Sequence, residues 1–255
     1  MTVNKIRHPY IWEIKQMAEL WQIHFGGTKR QLYHLFCTAL NLKHSLIIKR
    51  PGDHRIAGQV FWYVCLLGGK KVACICGLCV KPELQHQGLG TALMEAAHEL
   101  LKREGFCAVI LEPLDEDLVW FYHYFGYKMS GGYSSFFAKA GTPVNMSVIS
   151  PREYHRLRRK YLPENGLELP LSYFKYRSRE VTYYRGENFI CAIEKDEWKQ
   201  CLELLGDSSA AGGIAEFPER PHLRFTAPGD EEYTLMVLNL AGDIPSNLYS
   251  GFPLE

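Results

Sequence analysis

Residues 78–93 read LCVKPELQHQGLGTAL, and this stretch decides the fold of the chain. An apolar strand end passes through Pro82 into a loop of small and polar residues, which runs directly into an amphipathic helical pattern. Backbone amides at a helix N-terminus have no partner within the helix and lie at the positive end of its dipole, so they favour an anion. Gly88 and Gly90 would let a ligand approach the backbone without a Cβ in the way. The stretch predicts a phosphate-binding turn, although an ordinary strand-to-helix turn would show the same two glycines.

The sequence around this loop predicts a mixed α/β sheet. A helical apolar pattern ends at Gly26, and Thr28 and Gln31 form a capping box for a second helix. The elements expected before the loop are helices at 10–25 and from 28 to about 40, and strands at 45–49, 56–67 and 72–80. Those expected after it are a helix at 90–103, a buried strand at 107–111, a short aromatic helix at 117–125 and one or two strands up to residue 139. This order indicates an α/β fold with a mixed, mostly antiparallel sheet flanked by helices.

A second, smaller α+β unit is expected after the Gly-Thr-Pro stretch at 141–143, which divides the chain into domains at 1–140 and 141–255. Its expected elements are a helix after Ser150, a hairpin at 181–193, a helix at 196–205 and a strand at 233–240. Basic side chains at 156 and 158–160 are typical of a solvated helix face, with an anion site as the alternative. No convincing sequence repeat links the two units, but a degenerate copy of the first fold is one interpretation of the second.

Composition excludes several classes of protein. Apolar residues make up 47% of the 255 residues and charged residues 22%, which are values of a globular chain. With a net charge of +1, we expect no binding of nucleic acid or of an anionic membrane, and neither a membrane span nor a signal peptide. The eight cysteines lie mostly in apolar runs, which predicts reduced thiols and a cytoplasmic protein. Cys74, Cys76 and Cys79 lack a second ligand pair, so we expect them to pack in the core without a metal.

Two motifs together resemble the GNAT superfamily of N-acetyltransferases. The pattern Gln85-x-x-Gly88-x-Gly90 after a strand end is similar to the coenzyme A pyrophosphate loop of that family. Residues 121–127, FYHYFGY, are similar to its second signature, Phe-Tyr-x-x-x-Gly-aromatic. The motifs occur in the family's order, with a helix and a buried strand between them, and the resemblance is specific over residues 56–130.

The resemblance implies a cofactor, a reaction and a set of site residues. Acetyl-CoA would be the co-substrate, and its acetyl group would pass to a primary amine of a small-molecule or peptide acceptor. Backbone groups of Leu78, Cys79 and Val80 would pair with the pantetheine arm. The amides that would hold the pyrophosphate belong to Gln85, His86, Gln87, Gly88, Leu89, Gly90 and Thr91. Tyr122 matches the tyrosine that protonates the departing thiolate, although its aromatic neighbours would also suit a core residue.

Two departures from the family pattern leave alternatives open. Asp115 stands where many members have a cofactor-contacting Asn, and residues 72–80 carry no carboxylate where many members have a glutamate base. The candidate replacements for that base are Glu112, Glu83, Glu255 or a water chain. The alternative function is a non-catalytic acyl-CoA-binding sensor or scaffold. The acceptor is not identified by any motif, and a homo-oligomer is compatible with the sequence.

Overall fold

The protein folds into two β-sheets flanked by helices. The computed structural model describes residues 5–139, 141–195, 200–215, 223–229, 234–242 and 244–252. The elements of the N-terminal part are β1 (Lys5–Arg7), α1 (Ile14–Phe25), α2 (Lys29–His34), β2 (Ser45–Lys49), β3 (Gly58–Leu67), β4 (Lys70–Val80), α3 (Leu89–Arg103), β5 (Ala108–Leu111), α4 (Glu116–Tyr124) and β6 (Lys128–Ser130). Those that follow are β7 (Tyr133–Phe137), β8 (Ser147–Ile149), α5 (Pro151–Tyr161), α6 (Leu171–Arg177), β9 (Val181–Arg185), β10 (Phe189–Glu194), β11 (Gln200–Gly206), α7 (Ala210–Ala215), β12 (Arg224–Pro228) and β13 (Leu235–Asn239). None of the helices in the described residues is long and apolar enough to cross a membrane.

The two sheets confirm the predicted fold class. The first has the strand order β1-β2-β3-β4-β5-β13-β6, and the second has the order β7-β12-β11-β10-β9-β8. Neighbouring strands are antiparallel except for β4 with β5 and β11 with β12. Apolar cores on both faces of the first sheet hold α1 and α2 on one side and α3 and α4 on the other.

The second half of the chain, which begins at β8, repeats the element order of the first half, which begins at β1. Each half starts with a strand, two helices, three strands, a helix and a further strand. In each half the last of these helices connects the two strands of the parallel pair. The next strand is then exchanged between the halves: β13 lies antiparallel beside β5 in the first sheet, and β7 lies antiparallel beside β12 in the second. The exchange crosses the predicted boundary at residue 140, so each sheet contains a strand from the other part of the chain.

A β-bulge in β4 fixes the position of α1 on the first sheet. The register between β3 and β4 shifts between Gln59 and Phe61, opposite Gly77. Gly77 has φ of 60°, and a Cβ there would lie 2.1 Å from the ring of Trp21 on α1. Only glycine allows both this backbone conformation and this close approach of the indole.

The predicted helix at 196–205 is wrong for the residues that the structure describes, because 200–206 form β11; residues 196–199 lie outside the described residues. Cys201, Leu202, Leu204 and Leu205 are all buried, on both faces of the second sheet. A strand buried on both faces is a continuous apolar run, which periodicity does not distinguish from a helix.

The predicted solvated helix face on α5 is wrong for Arg158. This side chain is only 2% exposed, and its Nε lies 2.8 Å from Oε2 of the fully buried Glu203. Its two Nη groups also donate to the carbonyls of Leu167 and Ser250. Tyr154 donates to the same carboxylate at 2.7 Å. Since each buried charge is matched by the other and by hydrogen bonds, the pair ties α5, β11 and the segment at 250 together.

The cysteines pack as the sequence predicts. Cys74, Cys76 and Cys79 are buried in the core on the α1 face, and all eight thiols are free. Burial raises the pKa of Cys76 and raises that of Cys79 to about 12, so both thiols stay protonated at neutral pH.

Candidate functional site

The strands β4 and β5 separate along their length and leave an open edge on β4. Their parallel pairing extends from Val72 opposite Ala108 only to Cys74 opposite Ile110, whereas β4 continues to Val80. On the other side of β4, the amide of Lys81 donates to the carbonyl of Ala57 at 2.9 Å. Because adjacent residues of an antiparallel strand point in opposite directions, the backbone groups of Val80 point toward the opening.

The loop between β4 and α3 presents a run of backbone amides. His86 and Gly88 have φ of 58° and 76°, and His86 is the only non-glycine residue with positive φ among the described residues. The amides of residues 86–91 donate to no backbone acceptor among the described residues. The amide of Ala92 is the first of the helix to do so, and it donates to the carbonyl of Gly88 at 3.0 Å. The predicted anion-binding turn therefore has the geometry of a helix N-terminus with its first amides available.

Side chains brace this loop without covering its amides. The side-chain amide of Gln85 donates weakly to the carbonyl of Val80 at 3.4 Å, and that of Gln87 donates to Glu83 at 3.3 Å. A Cβ on Gly88 would meet nothing within 4 Å. The side chain of Leu89, in contrast, is buried in the core beneath the helix. The loop is thus packed against the core through Leu89, while the space next to Gly88 is open.

The second motif lies beside the first in space. Asp115 caps α4, where its carboxylate accepts the amide of Leu118 at 2.8 Å. Phe121 on this helix extends to the start of α3, with its Cζ 3.8 Å from where a Cβ on Gly90 would lie. The structure thus brings the two sequence motifs together, and it gives Asp115 the role of a helix cap.

Tyr122 follows on the same helix and is buried, with 6% of its surface exposed. Its ring lies against those of Phe121 and Tyr127, with centroids 5.2 and 5.6 Å away. Burial and, to a lesser extent, the charge of Asp115 raise the pKa of Tyr122 above its ordinary value. The phenol is therefore protonated at neutral pH and can act as a proton donor.

A hydrogen-bonded pair that the sequence analysis missed lies behind Tyr122. Nε2 of His98 on α3 is 2.8 Å from the hydroxyl of Tyr127. Burial lowers the pKa of His98 to about 4, so the imidazole is neutral at pH 7, and its Nε2 shares one hydrogen bond with the phenol. The sequence does not predict this contact, because the two residues are 29 positions apart and no motif links them. The pair holds α3 against the chain that leaves α4.

The candidate bases occupy different places. Glu112 directly follows β5, is half-buried and lines a cavity of about 100 Å³ between the first and second sheets. Glu83 lies exposed in the short 3-10 turn between β4 and the loop, and Glu255 is outside the described residues. Since the pairing of β4 and β5 ends at Ile110, Glu112 is the candidate at the apex of their separation.

The comparisons with known proteins agree with this geometry. Residues 46–129 match the family described as an acetyltransferase (GNAT) domain. A GCN5-related N-acetyltransferase from Kribbella flavida is similar in structure, with a TM-score of 0.70, 16% identity and coverage of 92% of this chain and 71% of that one. A conserved protein from Enterococcus faecalis V583 has a TM-score of 0.74 and 13% identity, over 94% and 73% of the two chains.

A third similar structure is a tandem GNAT protein from the clavulanic acid biosynthesis pathway. Its TM-score is 0.58 and its identity 12%, over 94% of this chain and 100% of that one. No curated protein matches the sequence. Identities this low establish a shared fold, while the matched family covers both motifs of the site. Residues 46–129 therefore match an acetyltransferase (GNAT) domain, and the chain as a whole shares the fold of these solved structures.

Proposed function

We propose that this protein is an N-acetyltransferase that moves an acetyl group from acetyl-CoA to a primary amine. The observation that supports this best is the series of available amides at 86–91, which lies directly beside the open edge of β4. The first feature suits a pyrophosphate, and the second suits an extended amide-containing chain that pairs like an added strand.

The residues around the loop fit coenzyme A. A Cβ at Gly90 would have only Phe121 and Val80 within 4 Å, so the space in front of the helix start is open to a ligand. In this proposal the amides of residues 86–91 hold the pyrophosphate, while the amide of Gln85 donates to the carbonyl of Pro82. Of the predicted strand residues Leu78, Cys79 and Val80, it is Val80 whose backbone groups face the opening and pair with the pantetheine arm, since those of Cys79 face β3. Bound there, acetyl-CoA would supply an activated thioester.

Two side chains would handle the protons of the transfer. The Tyr122 hydroxyl, kept protonated by burial, would donate a proton to the leaving sulfur. Glu112, at the end of β5, would accept the proton that the ammonium of the acceptor must lose before the amine attacks. No protein nucleophile is needed, because the amine attacks directly.

The second half would act as a wall of the acceptor side. It repeats the strand order of the first half, but only residues 207–209 join β11 to α7, where the first half has the loop at 81–88. It also has no helix between β12 and β13 in the part of the chain described, where the first half has α4. These differences favour a degenerate copy of the acetyltransferase fold that binds no cofactor of its own, and the similarity to a tandem GNAT protein supports this interpretation.

Gly90→Glu tests the cofactor site. The variant should fold, since its Cβ makes only ordinary contacts and a carboxylate in the first turn suits the helix dipole. Acetyl-CoA stabilises the native protein by mass action, so it should raise the melting temperature of the wild type and leave that of Gly90→Glu unchanged. Lys102→Glu, at the other end of α3, should keep the full shift. A full shift in Gly90→Glu would refute the assignment of the loop.

Turnover separates the enzyme from a sensor. Thiol release from acetyl-CoA should occur with at least one amine from a panel of amino acids, polyamines, aminoglycosides and peptide amines. Binding of acetyl-CoA without thiol release across the whole panel would instead support the non-catalytic sensor or scaffold.

A further inference from the structure

A small polar cavity lies where the first sheet meets the second. Its volume is about 100 Å³, and residues 250–252 and Leu202 form part of its wall. The other side chains that line it all carry polar groups, and they are those of Glu112, Tyr133, Ser135, Gln200, Arg224, Thr226 and Thr234. Both halves of the protein therefore contribute to one cavity.

The polar lining follows from the register of the second sheet. Phe225 faces the core around α7, so its neighbours Arg224 and Thr226 face the opposite side of β12. The pairing places Gln200 beside Arg224 and Ser135 opposite Thr226, so that all four share this face. A partly buried sheet face would ordinarily carry apolar side chains, and hydrogen-bonding groups there are typical of a binding site.

The cavity adjoins the proposed reaction site. Glu112 follows Leu111, the last residue of β5, and the pairing of β5 with β4 ends one residue before Leu111. The wall at 250–252 is held in place from behind, because Nη2 of the buried Arg158 donates to the carbonyl of Ser250 at 2.7 Å. An acceptor in this cavity would thus approach the apex of the opening from the side away from the α3 loop.

The charges of the lining indicate the chemical class of the acceptor. Glu112 is contributed by the first half, and Arg224 stands at the rim on β12. The carboxylate of Glu112 suits an ammonium group of the acceptor. The guanidinium of Arg224 suits a carboxylate of the acceptor, which it can bind through two hydrogen bonds. A diamine would bring its second cation toward Arg224. Pockets for drug-sized ligands measure roughly 300–1,000 Å³, so a cavity of about 100 Å³ suits a much smaller molecule.

We propose that the acceptor is a small amino acid, bound with its amine at Glu112 and its carboxylate at Arg224. This rests on the proposed acetyltransferase function. A bond forms between the acceptor nitrogen and the acetyl carbonyl carbon, and the carbon–sulfur bond breaks. The ammonium nitrogen loses one proton to Glu112 before it attacks and a second one as the amide forms. Tyr122 gives its proton to the sulfur and is reprotonated by that second proton, so the products are an N-acetylated amino acid and coenzyme A, with no redox change.

The experiment compares each amino acid with the amine left when its carboxylate is removed. The pairs are glycine with methylamine, β-alanine with ethylamine and γ-aminobutyrate with propylamine, and putrescine serves as the diamine. The ratio of kcat/KM for an amino acid over its partner amine should be about tenfold or more for at least one pair, because a charge-assisted hydrogen bond is lost with the carboxylate. Arg224→Gln should reduce this ratio about tenfold, and Arg224→Lys should restore part of it.

The matched control is Arg156→Gln, which removes an exposed arginine on α5 and should leave the ratio and the rate unchanged. An unchanged ratio in Arg224→Gln, or putrescine as the best acceptor, would overturn the inference while leaving acetyl transfer intact. If no amine releases thiol, the proposed function fails, and calorimetric titration of the amino acids in the presence of coenzyme A decides the inference. Binding that Arg224→Gln weakens would support the subsite, and no binding would overturn it.

Discussion

The hydroxyl groups of Tyr122 and Tyr127 differ in their hydrogen bonding. None of the described residues forms a hydrogen bond with the Tyr122 hydroxyl, although the side chain is buried. The hydroxyl of Tyr127, five residues later, is hydrogen-bonded to His98. Since a structural tyrosine in a core normally has a partner for its hydroxyl, the difference between these two tyrosines favours a proton-transfer role for Tyr122.

Tyr122→Phe should lower kcat about 10²–10⁴-fold at neutral pH, because general-acid assistance is lost while the ring packing is kept. The affinity for acetyl-CoA and the unfolding free energy should stay close to wild type. The loss should shrink above pH ~8.5, where the coenzyme A thiolate leaves without a proton. Steady-state rates at neutral and alkaline pH measure this, with the exposed Tyr124→Phe on the same helix as the control. Wild-type turnover in Tyr122→Phe at neutral pH would leave the residue with a packing role only.

Gly77→Ala should destabilise the fold through two separable effects. The left-handed backbone costs about 1 kcal/mol or more for a side chain, and the methyl would overlap the Trp21 ring, which adds roughly 1–3 kcal/mol. Gly69→Ala is the matched control, because Gly69 has φ of 78° but nothing within 4 Å of a Cβ. Urea unfolding of both variants isolates the packing cost as their difference. Equal losses would mean that the indole moves aside at no cost.

At the scale of elements, Glu13 joins two strands of the first sheet to the segment that leads into α1. Its carboxylate forms two hydrogen bonds of 2.8 Å with Arg7 on β1 and lies 2.7 Å from Nζ of Lys49 on β2. It also accepts the amide of Tyr10 at the start of the chain that enters α1. The bonds with Arg7, followed by those with Lys49 and Tyr10, lower the pKa of Glu13 to about 2 against the opposing effect of burial.

Glu13→Gln should therefore destabilise the protein in a pH-dependent way. A folded pKa of about 2 against about 4.5 when unfolded corresponds to about 3 kcal/mol. Because the folded pKa is the lower one, this stability is present above pH 4.5 and is lost as the pH falls toward 2. Urea unfolding should show the full difference between Glu13→Gln and wild type at pH 7 and a smaller one at pH 3. A difference that stays constant with pH would refute the charge-based explanation.

Local chemistry explains which elements the sequence could predict. Thr28 caps α2 and Ser150 caps α5 as expected, since a cap depends on residues three positions apart. The run of available amides at 86–91 was predictable for the same reason, because these amides come from consecutive residues. β11 was not, since its apolar run carries no strand or helix period, and the buried position of Arg158 depends on Glu203, 45 residues away in the sequence.

At the scale of the whole molecule, the repeated strand order was hidden from the sequence. Each half buries its sheet with different side chains, and the described residues of the second half contain neither a long loop after β11 nor a counterpart of α4, so the pattern is visible only in the pairing of strands. The cavity at Glu112 and Arg224 was hidden as well, because a residue's partners across two sheets depend on register rather than on local sequence.

Splitting the chain at residue 140 should show how far the halves depend on each other. Without residues 141–255 the first sheet loses β13 from between β5 and β6, and the ring of Tyr63 loses its contact with Tyr173. We expect the fragments 1–140 and 141–255 to be insoluble or unfolded when expressed alone and to co-purify in equal amounts when expressed together. Size-exclusion chromatography and circular dichroism measure this. A lone 1–140 fragment that unfolds cooperatively and binds acetyl-CoA would show that β13 is dispensable.

The position of β13 also determines when the first sheet can be completed during translation. The ribosome must add about 120 residues after β5 before β13 exists, which takes roughly 6–25 s at roughly 5–20 residues per second. During that interval the nascent chain exposes the edges of β5 and β6, and open strand edges are templates for pairing with other chains. The loop between β4 and α3 is made early, yet the sheet that positions it is completed only when β13 has been synthesised. Synthesis of β13 is thus the step that both covers the open strand edges and completes the sheet beneath the loop.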